Sequence, residues 1–110
     1  MSDHVLLGDI GGTNARFALM SHGAIGPIEH LKVADFRSIA DAITSFLSQS
    51  AAGASTTAAV LDVAATIERN RGVLTNSHWT IDGADLARQF KLTSAKLLND
   101  FEAVGWSLPA

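Results

Sequence analysis

The residues best suited to chemistry form one short run near the N-terminus, Gly8-Asp9-Ile10-Gly11-Gly12-Thr13-Asn14-Ala15-Arg16. Paired glycines let backbone N–H groups approach a phosphate closely, because no Cβ is in the way. Thr13 and Asn14 add side-chain donors, and Arg16 adds a cation. A carboxylate beside a phosphate is repulsive unless a hard cation lies between them, so Asp9 predicts a Mg2+ ion held through water. The run therefore predicts a phosphate-binding loop.

This run differs from the two commoner phosphate-binding loops. The sequence contains neither G-x-x-x-x-G-K-[ST] nor a G-x-G-x-x-G run that opens a helix. After the glycines, Phe17 and Leu19 alternate with Arg16, which predicts a strand and places the loop at the tip of a β-hairpin. An ordinary Gly-Gly hairpin turn is the alternative interpretation.

A second candidate site lies at Leu97-Leu98-Asn99-Asp100-Phe101, where a buried strand would deliver an amide and a carboxylate at its C-terminal end. Asp100 would suit a general base that accepts a proton from a sugar hydroxyl, with Asn99 bonding a neighbouring hydroxyl. In phosphoryl transfer such a carboxylate mostly orients the nucleophile and accepts its proton late. Asp100 could equally be the N-cap of a following helix, and the two roles are compatible.

A third segment, Leu74-Thr75-Asn76-Ser77-His78-Trp79, places hydroxyls and an amide next to an aromatic ring. Such a cluster suits a carbohydrate. The same Thr-Asn-Ser run is also ordinary turn chemistry, and Trp79 could be a core residue.

Hydrophobic periodicity predicts a mixed α/β sheet with helices on its faces. Strands are predicted over residues 4–9, 15–21, 28–34, 58–64 and 95–98, with Val73-Leu74 pairing back on the fourth, and a Ser/Ala/Gly linker over 48–57. Helices are predicted over 36–47 with Asp35 as cap, after the Asp82-Gly83-Ala84-Asp85 capping box, and over 101–108.

The order of these elements predicts where the candidate residues meet. The first three strands would form an antiparallel meander, and right-handed crossovers would place the later strands parallel to the first. The strand ends at Asp9 and Asn99 would then open at the same sheet edge, which is where open α/β sheets bind ligands.

Bulk properties narrow the class of protein. With 110 residues, 47% of them hydrophobic, the chain suffices for one small domain with a core. A net charge of −3 without a basic stripe argues against a nucleic-acid partner. The lack of cysteine excludes a disulfide framework and fits the cytoplasm. No apolar run approaches the ~20 residues of a membrane span.

Taken in order, the three segments resemble the bacterial glucokinase family. That family belongs to the hexokinase–actin superfamily, whose domains have a ribonuclease-H-like sheet. The resemblance covers essentially the whole chain and implies ATP-dependent phosphorylation of glucose at its 6-hydroxyl.

The resemblance also implies roles for single residues. Asp9 corresponds to the Mg2+-associated acid of the first phosphate motif. The ATP phosphate loop corresponds to Gly11, Gly12, Thr13 and Asn14, with Arg16 beside it. Asn99 and Asp100 correspond to the sugar-binding amide and the catalytic base, and Asn76 to a further contact with the sugar.

Members of this family are much longer and have two domains around a cleft. The resemblance therefore implies that residues 1–110 form the N-terminal small domain, cut at a domain boundary, and that the large ATP-binding domain is the missing partner. The isolated chain is then expected to be inactive, because phosphoryl transfer needs closure of two domains. In the family the C-terminal helix also packs on the small domain. The face left by this missing helix is expected to be apolar and to favour self-association, and the protein is expected to be a homo-oligomer.

One segment departs from the family pattern. The strand over 59–67 normally carries an apolar residue near Asp62 and a Gly-Pro or Cys-Pro pair at Ala65-Thr66, and an Asp inside a buried strand is costly unless paired. This departure weakens the expectation that the sugar is glucose.

Two other functions remain open. The fold could serve a non-catalytic module that senses a sugar or a nucleotide. It could also serve an actin-like or heat-shock ATPase domain, although Asn99-Asp100 argues against this because those proteins have no sugar base to place there.

Overall fold

The computed structural model describes residues 4–49, 56–65, 67–74 and 79–99. This part of the chain forms a six-stranded sheet, a separate two-stranded hairpin and two α-helices. The sheet contains β1 (His4–Ile10), β2 (Asn14–Ser21), β3 (Ala24–Ile25), β4 (Glu29–Lys32), β5 (Thr56–Val63) and β8 (Ser94–Asn99). The hairpin consists of β6 (Arg71–Val73) and β7 (Thr80–Asp82), and the helices are α1 (Ile39–Gln49) and α2 (Gly83–Gln89).

The main sheet is mixed, with the strand order β3-β2-β1-β5-β8, and β4 also pairs with β2. The strands β3 and β4 share one edge of β2, and both are antiparallel to it, as β2 is to β1. From β1 onward the sheet is parallel, through β5 to β8. The predicted mixed α/β sheet, antiparallel first and parallel later, is confirmed.

The core lies on one face of the sheet. Alternation in β1 and β2 buries Leu6 and Ile10 on the same face as Phe17 and Leu19. The helix α1 presents its apolar stripe to this face, and the rings of Phe17 and Phe46 lie 5.7 Å apart. Ala18 and Leu98 are also buried, but they point to the opposite face and are not members of this core.

The two helices begin differently from one another. The carboxylate of Asp82 accepts from the backbone N–H groups of Ala84 (3.0 Å) and Asp85 (3.2 Å), so the predicted cap of α2 is confirmed. The prediction that Asp35 caps α1 is wrong. Asp35 ends a short 3-10 turn, Val33–Asp35, and α1 begins only at Ile39, where Ser38 Oγ accepts from the N–H of Asp41 (3.2 Å).

The predicted pairing of Val73-Leu74 with the strand over 58–64 is wrong. Val73 lies in β6, which pairs with β7. The physical reason is that β5 has β1 along one edge and β8 along the other, so neither edge can accept another strand. The predicted helix over 101–108 and most of the predicted linker lie outside the described residues. Within the described residues, no helix is long and apolar enough to cross a membrane.

Candidate active site

The predicted phosphate loop is the connection between β1 and β2. The N–H of Gly11 donates to the carbonyl oxygen of Asn14 (2.9 Å), which closes the hairpin, and the N–H of Val33 donates to that of Thr13 (2.9 Å). The side chains of Thr13 and Asn14 are exposed. The predicted hairpin tip is confirmed, with its polar side chains open to solvent.

The backbone of this loop argues against an ordinary Gly-Gly turn. Such turns use glycine because their central residues need a positive φ. Among the described residues, Gly23 is the one glycine with a positive φ, so neither Gly11 nor Gly12 has the positive φ of such a turn. Backbone handedness therefore does not account for two glycines at this position.

Asp9 and Arg16 form an ion pair at the base of the loop. They lie directly opposite each other on β1 and β2, and the guanidinium of Arg16 donates to the carboxylate of Asp9. Their side chains are 43% and 52% exposed, respectively. The structure thus brings the predicted cation to the predicted acid, on the sheet face opposite the core.

Asn99 is the last residue of β8 and lies level with the start of the loop. It is in register with Val63 of β5, and Val63 is in register with Ile10 of β1. Because adjacent strands are about 4.8 Å apart, Asn99 lies roughly 10 Å from the point where the loop leaves β1. The expectation that the ends of these strands share one sheet edge is confirmed.

Asp62 does not enter the core. It lies in register with Asp9 on one side and Leu98 on the other, one position before the end of β5. The core face takes its neighbours Leu61 and Val63, while Asp62 is half-buried on the opposite face. The strand is therefore regular at Asp62, which lies outside the core although its Oδ1 is buried on the opposite face.

Two predicted site residues, Asp100 and Asn76, lie outside the described residues. So do the second member of the Ala65-Thr66 pair and most of the segment before Trp79. Trp79 itself is 1% exposed, and its Nε1–H donates to the carbonyl oxygen of Phe36 (3.2 Å). Of the two interpretations of Trp79, the core residue is confirmed.

In the part of the chain that the structure describes, no three His, Asp or Glu side chains group closely enough to hold a metal ion by themselves. Asp9 and Asp62, its neighbour in register on β5, fall short of such a group, so a cation there would need further ligands such as phosphate oxygens or water.

A protein-family model for glucokinase matches residues 6–110, which contain the loop, the hairpin and the end of β8. The chain belongs to the glucokinase family. Curated relatives agree: the glucokinase of Marinobacter nauticus is 39% identical over 106 residues, covering 94% of this chain and 33% of that protein. The glucokinase of Paramagnetospirillum magneticum is 39% identical over 110 residues, covering 98% and 34%. The chain spans about a third of the length of these relatives.

Solved structures place the same fold in glucokinases. A glucokinase from an Antarctic psychrotroph superposes with a TM-score of 0.86 at 31% identity, covering 97% of this chain and 35% of that one. A glucokinase from Balamuthia mandrillaris in complex with glucose has a TM-score of 0.70 at 24% identity, covering 97% and 32%. A transcriptional regulator of the ROK family shares the fold alone, with a TM-score of 0.61 at 13% identity, covering 88% and 28%.

One residue of this glucokinase-family chain escaped the sequence analysis. Asn70, in the turn before β6, bonds through its side chain to the backbone of β8. Its sequence signal was an Asn in a polar turn, which marks a turn but does not reveal a partner 25 residues away.

Proposed function

We propose that this chain is the N-terminal domain of an ATP-dependent glucokinase, which transfers the γ-phosphoryl group of ATP to the 6-hydroxyl of glucose. The observation that carries the proposal is the register row Ile10–Val63–Asn99 in a chain of the glucokinase family. This row brings a glycine loop suited to phosphate and an amide suited to a sugar to the same sheet edge, where open α/β sheets bind ligands.

The phosphate side of the proposed site is the β1–β2 loop. Gly11 and Gly12 have no Cβ, so the ATP phosphates can approach the backbone of the loop closely, and Thr13 and Asn14 add exposed side-chain donors. Neither glycine has a positive φ, so the close approach of a ligand is a more suitable reason for glycine at these positions. Arg16 lies beside the loop and balances negative charge.

The chemistry of Asp9 fits Mg2+. This ion takes oxygen ligands and is usually bound by one or two carboxylates together with substrate phosphates and water. Asp9 offers one half-exposed carboxylate at the base of the phosphate loop, which matches that pattern. When bound, the ion would neutralise charge on the ATP phosphates.

The sugar side of the proposed site combines Asn99, Asp100 and Asn76. Asn99 would hydrogen-bond a sugar hydroxyl adjacent to the reacting one, and Asn76 would make a further contact. Asp100 would orient the 6-hydroxyl and accept its proton as the hydroxyl oxygen bonds to the γ-phosphorus and ADP leaves.

We also propose a ribonuclease-H-like classification for the domain. Its support is the strand order, with an antiparallel β1–β2–β4 unit followed by two parallel strands, β5 and β8. In such a two-domain kinase the cleft must close to exclude water and complete the site, so this chain alone would hold half of it.

The test is a coupled assay of ADP formation with glucose and ATP, using the full-length protein and the 110-residue chain in parallel. We expect glucose-dependent turnover by the former alone. Calorimetry with glucose distinguishes the kinase from the alternative, a non-catalytic sensing module. Tight glucose binding by the 110-residue chain, together with no turnover by the full-length protein, would indicate a sensing module and contradict the kinase proposal.

A further inference from the structure

We propose that Asn70 is a positioning residue that sets the end of β8, and therefore Asn99, relative to the β6–β7 hairpin. The inference rests on the proposed function, because it requires Asn99 to bind the sugar. It adds a residue of the turn before β6 to the residues that determine glucose affinity.

The amide of Asn70 bonds to two backbone groups of one strand. Its Nδ2 donates to the carbonyl oxygen of Ala95 (2.7 Å), and the N–H of Leu97 donates to its Oδ1 (2.8 Å). Among the strands that the structure describes, β8 is the last in the sheet order, so its outer edge has no neighbouring strand there. The side-chain amide of Asn70 bonds to β8 as the backbone of a neighbouring strand would. The second of these bonds is at Leu97, two residues before Asn99.

The turn around Asn70 is shaped for this contact. Its φ is 61°, a left-handed angle that asparagine tolerates better than most residues. The N–H of Gly83 donates to the carbonyl oxygen of Asn70 (2.9 Å). A Cβ on Gly83 would lie 2.1 Å from Asn70 Nδ2 and 2.5 Å from the carbonyl oxygen of Ala95, so the contact requires glycine at 83.

Asn70 thereby joins the β6–β7 hairpin to the strand that carries the candidate sugar-binding amide of Asn99. The β6–β7 hairpin begins directly after Asn70, and β8 ends at Asn99. The proposed phosphate loop follows β1, which is two strands away from β8 in the sheet. Among the described hydrogen bonds, none joins this loop to Asn70. Loss of the Asn70 amide should therefore displace the sugar side and leave the ATP side in place.

The experiment compares the steady-state kinetics of the full-length wild type with two variants. Asn70→Gly keeps the left-handed backbone without strain and removes both side-chain bonds. Asn70→Asp keeps the acceptor for Leu97 but turns a second oxygen toward the carbonyl of Ala95. Arg69→Gly is the matched control, since Arg69 shares the turn and the positive φ (54°) and its side chain is exposed.

We expect both Asn70 variants to raise the KM for glucose about 10- to 100-fold, as small displacements of a binding group do. The KM for ATP should stay within about twofold, and the control should match the wild type in both. A purely structural role would lower the active fraction, and hence the apparent kcat, with both KM values unchanged.

Three results would overturn the inference: an unchanged KM for glucose, equal rises in both KM values, or failure of both variants to fold. A wild type without glucose-dependent turnover would instead contradict the proposed function itself, so the two failures are distinguishable.

Discussion

Asp9 is paired with Arg16 near the end of β1, beside the proposed phosphate loop. Asp9 faces Arg16 across two antiparallel strands, and both side chains are about half exposed. An ion pair at such exposure contributes at most about 1 kcal/mol, because water and salt screen it. Arg16 therefore balances the charge of Asp9 through a weak ion pair. Replacing Arg16 by a cation at Asp9 would cost little free energy.

At this scale we predict the effect of Asp9→Asn in the full-length protein. Removing the charge weakens the hold on a water-bound Mg2+, so the KM for Mg-ATP should rise about 10- to 100-fold, as outer-sphere metal partners do when lost. Asp85→Asn makes the same charge change on the exposed surface of α2 and should behave as wild type. Equal KM values for Asp9→Asn and Asp85→Asn in a titration with Mg-ATP would contradict the assignment.

At the scale of elements, short helices depend on their ends. The helix α2 has seven residues, and the carboxylate of Asp82 accepts from two of its first backbone N–H groups. The other oxygen of that carboxylate lies 3.3 Å from Arg71 Nε, which ties the end of β7 to β6. Because α2 leads into β8, the cap contributes to the position of the strand that ends at Asn99.

We predict that Asp82→Ala lowers the free energy of unfolding of the 110-residue chain by about 1 kcal/mol, the usual cost of a lost N-cap. Asp85→Ala, in the first turn of the same helix, removes an exposed ion pair with Arg88 and should cost no more than about 0.5 kcal/mol. Urea denaturation followed by circular dichroism measures both. Equal effects of the two substitutions would show that Asp82 does not cap the helix.

Local signals were predictable from the sequence and partner choice was not. The cap at Asp82 follows from a four-residue pattern and was predicted correctly. At α1, Asp35 and Ser38 are both good caps, and the 3-10 turn through Asp35 moves the start of the helix to the second. Val73 is a β-branched residue typical of strands. Its pairing partner, however, depends on which strand edges in the sheet are already paired, and both edges of β5 are.

At the scale of the whole molecule, the two sheet faces differ. One carries the core, and the other contains a groove of about 220 Å3 lined by Leu7, Asp9, Arg16, Ala18, Ile25 and Ile28 among others. Ile25 and Ile28 are 48% and 59% exposed. Apolar side chains beside an open sheet face are typical of a surface that another segment or chain covers.

We predict that the 110-residue chain self-associates through this face. Its apparent mass by light scattering should rise with concentration, and replacing Ile25 and Ile28 together by Lys should reduce the rise. Val73→Lys is the control, since Val73 is 60% exposed on the separate hairpin. A monodisperse monomer at high concentration would contradict the prediction.

The candidate site was predictable where it depends on strand ends. Asp9 and Asn99 follow apolar runs, and parallel connections bring such ends to one edge, as the register confirms. The contact of Asn70 with β8 was not predictable, because it joins residues 25 and 27 positions apart through a turn whose path the local sequence does not specify.

We propose that Asp100 is the catalytic base of a glucokinase. The most direct test measures kcat for glucose in a coupled assay of the full-length protein, comparing the wild type with Asp100→Asn. We predict that kcat falls about 100- to 10,000-fold, because an amide cannot accept the proton of the 6-hydroxyl. The exposed-surface variant Asp85→Asn should keep the wild-type value. Turnover by Asp100→Asn near that of the wild type would contradict the claim.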